Sequence, residues 1–312
     1  MRKLKLLKLA AVFTGITQAI NKWIEISSTS SIHTENEGKV FHSQNGDIYY
    51  NQYGSGKESV LLLHDLSPFM SSYVWDDVVD SLAQEYTLYI PDLPGCGRSC
   101  NPDQISTTYY YAQFIRDFIQ KVIGDKTTVV ACGYSASAAI SSVVLFPDHI
   151  SRMIMVNPSD PAAKETMVSS EKRTINNIFR MPIIGNTLYY YMTSRNKTSE
   201  YIEEDMLCNP FHVKHSLYRS AYQAAHYGRG RGKYLLISLK SGYLHCSMAR
   251  MLTKTDIPVK IVMGGQVRGQ KEVCSAYKKI RADLDTYTIA EAKLAPQIEQ
   301  PQEFVECLRK WL

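Results

Sequence analysis

The run VVACGYSASAAI, residues 129–140, limits what this chain can fold into more than any other stretch. A β-branched strand ends and a helix of small residues opens almost at once, so a sharp turn must join them. Such a turn lifts one residue above the end of a sheet. On the Gly-x-Ser spacing of Gly133-Tyr134-Ser135 that residue is Ser135, in the geometry of a nucleophile elbow.

The flanking sequence supplies the sheet. VFHS and DIYYNQYG read as two strands joined by an Asn45-Gly46 hairpin turn. ESVLLLH (58–64) is a continuous apolar run, as expected of a strand buried on both faces. An amphipathic helix (72–85), the strand YTLYIPD, a helix (107–124), the strand leading into the elbow and the strand RMIMVNP (152–158) follow. The alternation stops over 160–250, a helical, tyrosine-rich stretch, and resumes with VKIVMGG (259–265), a helix, DTYTIA (285–290) and a closing helix. This pattern predicts an α/β fold, a doubly wound, mostly parallel sheet of the eight-stranded type with an inserted helical lid. The expected divisions are a first core part at 39–159, a lid at 160–250 and a second core part at 251–312.

Residues 1–26 stand apart. Arg2, Lys3, Lys5, Lys8 and Lys22 face a single acidic residue, Glu25, so most of the net charge of +5 resides here. The remaining chain is close to neutral, which predicts no nucleic-acid partner. Apolar residues from Leu4 to Ile24 recur at helical spacing beside a polar stripe that includes Thr17, Asn21 and Glu25. The expectation is a membrane-associating helix lying in the plane of the lipid surface. A membrane-spanning helix and a helix packing on its own domain are the alternatives. The side of the membrane stays open: a spanning helix with a basic start would favour an outward-facing domain, and the cysteine pattern favours a reducing compartment. Residues 27–38 have the composition of a linker. The seven cysteines form no CxxC pair and no zinc-ligand spacing, so neither a metal nor a cofactor is expected.

Together these motifs resemble the α/β-hydrolase family over residues 40–312. Leu63-His64-Asp65-Leu66 looks like the family's oxyanion loop, with Asp65 in place of glycine. Ser72 and Trp75 follow it, and Pro91-Asp92-Leu93-Pro94-Gly95-Cys96-Gly97-Arg98-Ser99 resembles the family's Asp-x-x-Gly-x-Gly-x-Ser loop. The resemblance makes Ser135 the nucleophile position and puts an oxyanion hole at the backbone N–H groups of Leu66 and Ala136. It also implies an acid after the strand VKIVMGG and a histidine just before Pro296-Gln297-Ile298-Glu299-Gln300-Pro301. Val267 and Leu294 occupy those two places, and no histidine occurs after His245.

A serine hydroxyl without a positioned base is a poor nucleophile. Asp65, Asp160 and the lid histidine His226 are the candidate surrogates; His64 fits a structural loop histidine. Two functional readings result. The favoured one is a catalytically degenerate, membrane-associated protein that binds a small apolar ligand or a partner. The other is an active carboxylester or lipid hydrolase in which an unorthodox base drives Ser135.

Overall fold

The computed structural model describes residues 2–29, 38–161 and 170–312. Helix α1 (Arg2–Thr29) leads into strands β1 (Lys39–Ser43), β2 (Gly46–Tyr53) and β3 (Ser59–Leu63). Helix α2 (Asp76–Leu82), β4 (Thr87–Pro91), α3 (Thr108–Phe118), β5 (Thr127–Cys132), α4 (Gly133–Leu145) and β6 (Ile150–Val156) complete the first half. The insertion contributes α5 (Ser170–Arg180), α6 (Pro182–Met192), α7 (Arg195–Glu200), α8 (Ser216–Tyr227), α9 (Lys233–Ser241) and α10 (Met248–Leu252). The chain closes with β7 (Val259–Gly264), α11 (Gln270–Ile280), β8 (Asp285–Ile289), α12 (Pro296–Glu299) and α13 (Pro301–Arg309).

The eight strands form one sheet in the order β1-β2-β4-β3-β5-β6-β7-β8. The hairpin β1–β2 and the β2–β4 pair are antiparallel; every other pair is parallel. This is the doubly wound, mostly parallel sheet expected from the strand–helix alternation. Of the expected linker, residues 27–29 belong to α1 and residues 30–37 lie outside the described residues. The first part of the expected lid, residues 162–169, lies outside them as well.

Strand periodicity explains why both faces are apolar. Leu61 and Leu63 of β3, Val129 and Ala131 of β5 and Met153 of β6 point to one layer, covered by Phe114 and Phe118 of α3 and Ile140 of α4. Val60, Leu62, Val130 and Ile154 point to the other, against Trp75, Val78 and Leu82 near α2 and Phe304 and Leu308 of α13. Leu62 is fully buried in that second layer. Leu62→Ala is expected to cost about 2–5 kcal/mol in urea unfolding, the range for a buried leucine that leaves a cavity.

The parallel register aligns the carboxyl ends of β3 and β5, with Leu63 opposite Ala131. Cys132 lies opposite Val156 of β6. Three connections therefore leave the sheet side by side: His64-Asp65 after β3, Gly133 after β5 and Asn157 after β6. Open α/β sheets bind ligands at this edge.

Candidate functional site at the carboxyl ends of the strands

The turn between β5 and α4 places its summit differently from the sequence reading. Gly133 is the residue in the left-handed region, at φ 51°. Ser135 falls two residues later, inside the first turn of α4, and is buried. Its Oγ donates to the Cys132 carbonyl at 2.7 Å and to the Leu63 carbonyl at 3.3 Å. The hydroxyl thus points down at the strand ends rather than up from the sheet. The Gly-x-Ser spacing misleads here because the turn is anchored by where the strand stops, at Cys132, and by which residue tolerates positive φ.

The pair of backbone donors also differs from the expected one by two residues. Leu66 N–H and Tyr134 N–H converge on a single atom, each 2.7 Å from Asp65 Oδ1. Two backbone donors at that distance around one point are what an oxyanion hole presents to a reacting carbonyl oxygen. Leu66 N–H belongs to this pair, and its companion is Tyr134 N–H, not the Ala136 N–H that the resemblance implies. Ala136 itself lies fully buried in the core under α4. The oxygen held between these two donors is the protein's own.

Asp65 and Gly133 fit one another closely. A Cβ built on Gly133 would come within 2.3 Å of the Asp65 carboxyl carbon and Oδ1. Protein surrounds Asp65 although its surface stays partly open to a narrow cavity. Burial pushes its carboxyl up to about 6, opposed by the two N–H donors from Tyr134 and Leu66. A folded-state value above the 3.8 of an unperturbed aspartate means the folded form binds more protons between those two pH values. The associated stability is complete below the lower value and is lost as pH rises through the upper one. An amide keeps the Oδ1 acceptor and removes the charge. Asp65→Asn is therefore expected to exceed the natural chain in urea stability by ~2 kcal/mol at pH 8, after discounting for the open side of the cavity. The difference is expected to vanish below about pH 3, where the carboxyl is neutral in both states.

The cavity beside this pair measures about 30 Å³ and is lined by Asp65, Cys132, Gly133, Asn157, Tyr201 and Leu294, among others. That volume is roughly one water's share of the liquid. Leu294, the residue that the resemblance puts in the histidine's place, is among these lining residues. Its N–H donates to the Met206 carbonyl at 3.0 Å. Sequence reasoning missed Asn157, the residue that ties this edge together. Its Nδ2 donates to the carbonyls of Lys293 at 2.9 Å and Leu294 at 3.1 Å, and its Oδ1 accepts from Gly264 N–H at 2.8 Å. Its positive φ of 46° is a conformation asparagine tolerates unusually well. An Asn directly after an apolar strand was the available signal.

The remaining candidates lie elsewhere. Val267 is half-buried against the core and does not line this cavity. Asp160 is exposed. His226 is buried in α8 between the rings of Tyr190 and Tyr222, with Nδ1 2.7 Å from the Tyr222 carbonyl. It does not reach Ser135. His64 is fully buried, with Nδ1 2.7 Å from the Asp65 carbonyl and Nε2 accepting from Leu93 N–H at 2.9 Å. Burial lowers its pKa, against the nearby Asp92 charge and the Asp65 carbonyl. A neutral imidazole donating from Nδ1 thus pins the β3 loop to the loop after β4.

The loop after β4 is likewise a brace. Asp92 Oδ1 accepts from Ser72 N–H at 2.9 Å, and its Oδ2 accepts from the Arg98 backbone N–H at 3.0 Å and from Arg98 Nε at 2.9 Å. Burial would raise the Asp92 carboxyl, but Arg98 and these hydrogen bonds hold it below the usual carboxylate range. Asp92→Ala is expected to cost about 3–5 kcal/mol, measurable by urea unfolding, because it breaks a buried ion pair and removes the acceptor of three hydrogen bonds. Among the described residues, no group of three His, Cys, Asp or Glu side chains is placed to hold a metal.

Comparison with known proteins agrees with this architecture. The model of the alpha/beta hydrolase family matches residues 60–307. An uncharacterized protein of Mycobacterium bovis is 31% identical over 104 residues, 33% of this chain and 30% of that protein. The chain therefore spans only about a third of that relative's length. A 2-hydroxy-6-oxononadienedioate/2-hydroxy-6-oxononatrienedioate hydrolase of Pseudomonas putida is 24% identical over 202 residues, 58% of this chain and 70% of that one. Among solved structures, a serine hydrolase involved in carbazole degradation superposes with a TM-score of 0.71 at 16% identity, covering 88% of this chain and 97% of its own. A membrane phospholipase A superposes with a TM-score of 0.70 at 15% identity, covering 100% and 98%. With the matched model spanning most of the sequence, the chain belongs to the alpha/beta hydrolase family.

Proposed function

We propose that this chain is a non-hydrolytic α/β-hydrolase-fold protein that acts by binding, its catalytic centre closed from within. The observation that carries the reading is the Asp65 carboxyl, whose Oδ1 accepts from both Leu66 N–H and Tyr134 N–H. An anionic oxygen in that position repels the oxyanion of an acyl-transfer transition state instead of leaving room for it. Three further features support it. The summit residue Gly133 carries no nucleophilic atom, Leu294 faces the site where a base is needed, and Asn157 stays neutral. Fold alone does not imply chemistry; the site decides.

The alternative, a working hydrolase built on Ser135, has little to recommend it. That hydroxyl is buried and spends its proton on carbonyl oxygens. A small apolar ligand at this edge also loses support, since about 30 Å³ is far less than the several hundred Å³ of an ordinary ligand pocket. Binding by the outer surface is the form of the proposal that remains.

The test is covalent labelling of the purified full chain with a fluorophosphonate, read by intact mass, beside Ser135→Ala. The expected result is no adduct on either protein. Ser135→Ala is expected to lower urea stability by about 0.5–1.5 kcal/mol, the value of one ordinary hydrogen bond, and to change nothing else. An adduct on the natural chain that Ser135→Ala abolishes would refute the proposal.

A further inference from the structure

Helix α1 is amphipathic in an inverted sense. Asn21 and Ser28 are buried and Thr17, Ile24 and Glu25 are half-buried, so a largely polar stripe faces the protein. Asn21 Nδ2 donates to Thr187 Oγ1 at 3.0 Å and to the Ile183 carbonyl at 3.2 Å in α6. Arg229, after α8, pairs with Glu25 at 3.0 Å. The apolar stripe is the one left outside. Val12 (59% exposed), Phe13 (71%), Ile16 (56%), Ile20 (50%) and Trp23 (69%) fall within roughly 100° of one another around the helix. A helix serving only its own domain would bury this stripe and expose Asn21 and Ser28.

We propose that this outward stripe is a docking face for an anionic lipid surface, with α1 lying in the plane of the headgroups. Charge and length select this occupant. Arg2, Lys3, Lys5 and Lys8 precede the stripe in the sequence, and Lys8 and Lys22 are exposed. Such a basic start complements anionic headgroups, and an indole such as Trp23 suits the boundary between headgroups and acyl chains. Among the described residues no helix is long and apolar enough to cross a membrane. From Thr17 onward α1 is engaged with α6 and the end of α8. The same orientation brings the insertion to the surface: α6, on which α1 packs, exposes Ile184 (51%) and Tyr191 (66%). This inference stands independently of whether the site between β3 and β5 is catalytic.

The test is co-sedimentation of the full chain with phosphatidylcholine vesicles, with and without about 30% phosphatidylglycerol. Each is compared with the triple variant Phe13→Glu, Ile16→Glu, Trp23→Glu. The expected result is binding to the anionic vesicles, at least tenfold weaker binding to the neutral ones, and at least tenfold weaker binding by the triple variant. Circular dichroism melts, expected to match the natural chain, establish that the variant is folded. A second variant, Lys3→Gln with Lys5→Gln and Lys8→Gln, is expected to weaken only the anionic component. Absence of binding by the natural chain, or equal binding by a folded triple variant, would overturn the proposal. So would a dimer in sedimentation velocity that the triple variant dissolves while vesicles bind neither protein; that result would assign the face to a second copy.

Discussion

Combining Asp65→Gly, Gly133→Ser and Leu294→His is expected to create esterase activity at least a hundredfold above the natural chain on an activated aryl ester. Each change removes one obstruction. Asp65→Gly frees the N–H groups of Leu66 and Tyr134, which already converge at 2.7 Å on one point. Gly133→Ser puts a hydroxyl at the positive-φ summit of the turn. Leu294→His brings an imidazole to a residue that lines the same cavity as Gly133 and Asp65. A positioned general base contributes about 10²–10⁴-fold and an oxyanion donor about 10²–10³-fold, so even a dyad without its acid should register. The pairing Leu294→His with Val267→Asp on Ser135, which the sequence alone suggests, is expected to stay inert, because Ser135 is buried two residues past the summit. If that pair gained activity and the triple variant did not, the assignment of the summit to Gly133 would be wrong.

The second large effect is a coupling. Gly133→Ala in the natural background forces a methyl group to within 2.3 Å of the Asp65 carboxyl, on a backbone that already stands at φ 51°. No real Cβ tolerates such an approach, so the carboxyl must leave its two donors or the turn must open. The expected loss is about 3–5 kcal/mol in urea unfolding, the sum of overpacking and a broken buried hydrogen-bond pair. In the Asp65→Gly background the clash is gone and only backbone strain remains, about 1–2 kcal/mol. The double-mutant cycle should therefore return a coupling of roughly 1–4 kcal/mol, as expected of residues in direct contact. Strictly additive losses would mean that the two residues do not meet as described.

How far the sequence foretold this depends on the kind of signal. Strands β3, β5, β6 and β7 were legible because continuous apolar runs such as SVLLL and TTVVAC suit burial on both faces, as does the burial of all of β5. The Asn45-Gly46 hairpin was legible from its turn chemistry and joins β1 to β2. Leu294 was pointed to by the family resemblance alone, through the stretch Pro296 to Pro301, and it lines the cavity beside Asp65. The summit of the elbow was not legible, since two overlapping patterns, Ala131-x-Gly133-x-Ser135 and Gly133-x-Ser135-x-Ser137, differ only in register. Backbone dihedrals settle that choice, and residue names do not. Asp65 was suspected as a stray carboxylate, but its role as occupant of the two N–H groups depends on a χ angle that no pattern encodes. Helix α1 was legible as a helix with an apolar stripe; which stripe faces the protein depends on Asn21 meeting Thr187, a contact 166 residues apart.

The account rests on one contact, the Asp65 carboxyl held by the two backbone donors. Carbon-detected NMR titration of the Asp65 carboxyl, followed together with the amide protons of Leu66 and Tyr134, measures it directly. The predicted result is a carboxyl midpoint near 6, with both amide protons shifting in step as the acceptor is neutralised. A midpoint near that of a solvated aspartate, about 3.9, with both amides unmoved, would contradict it.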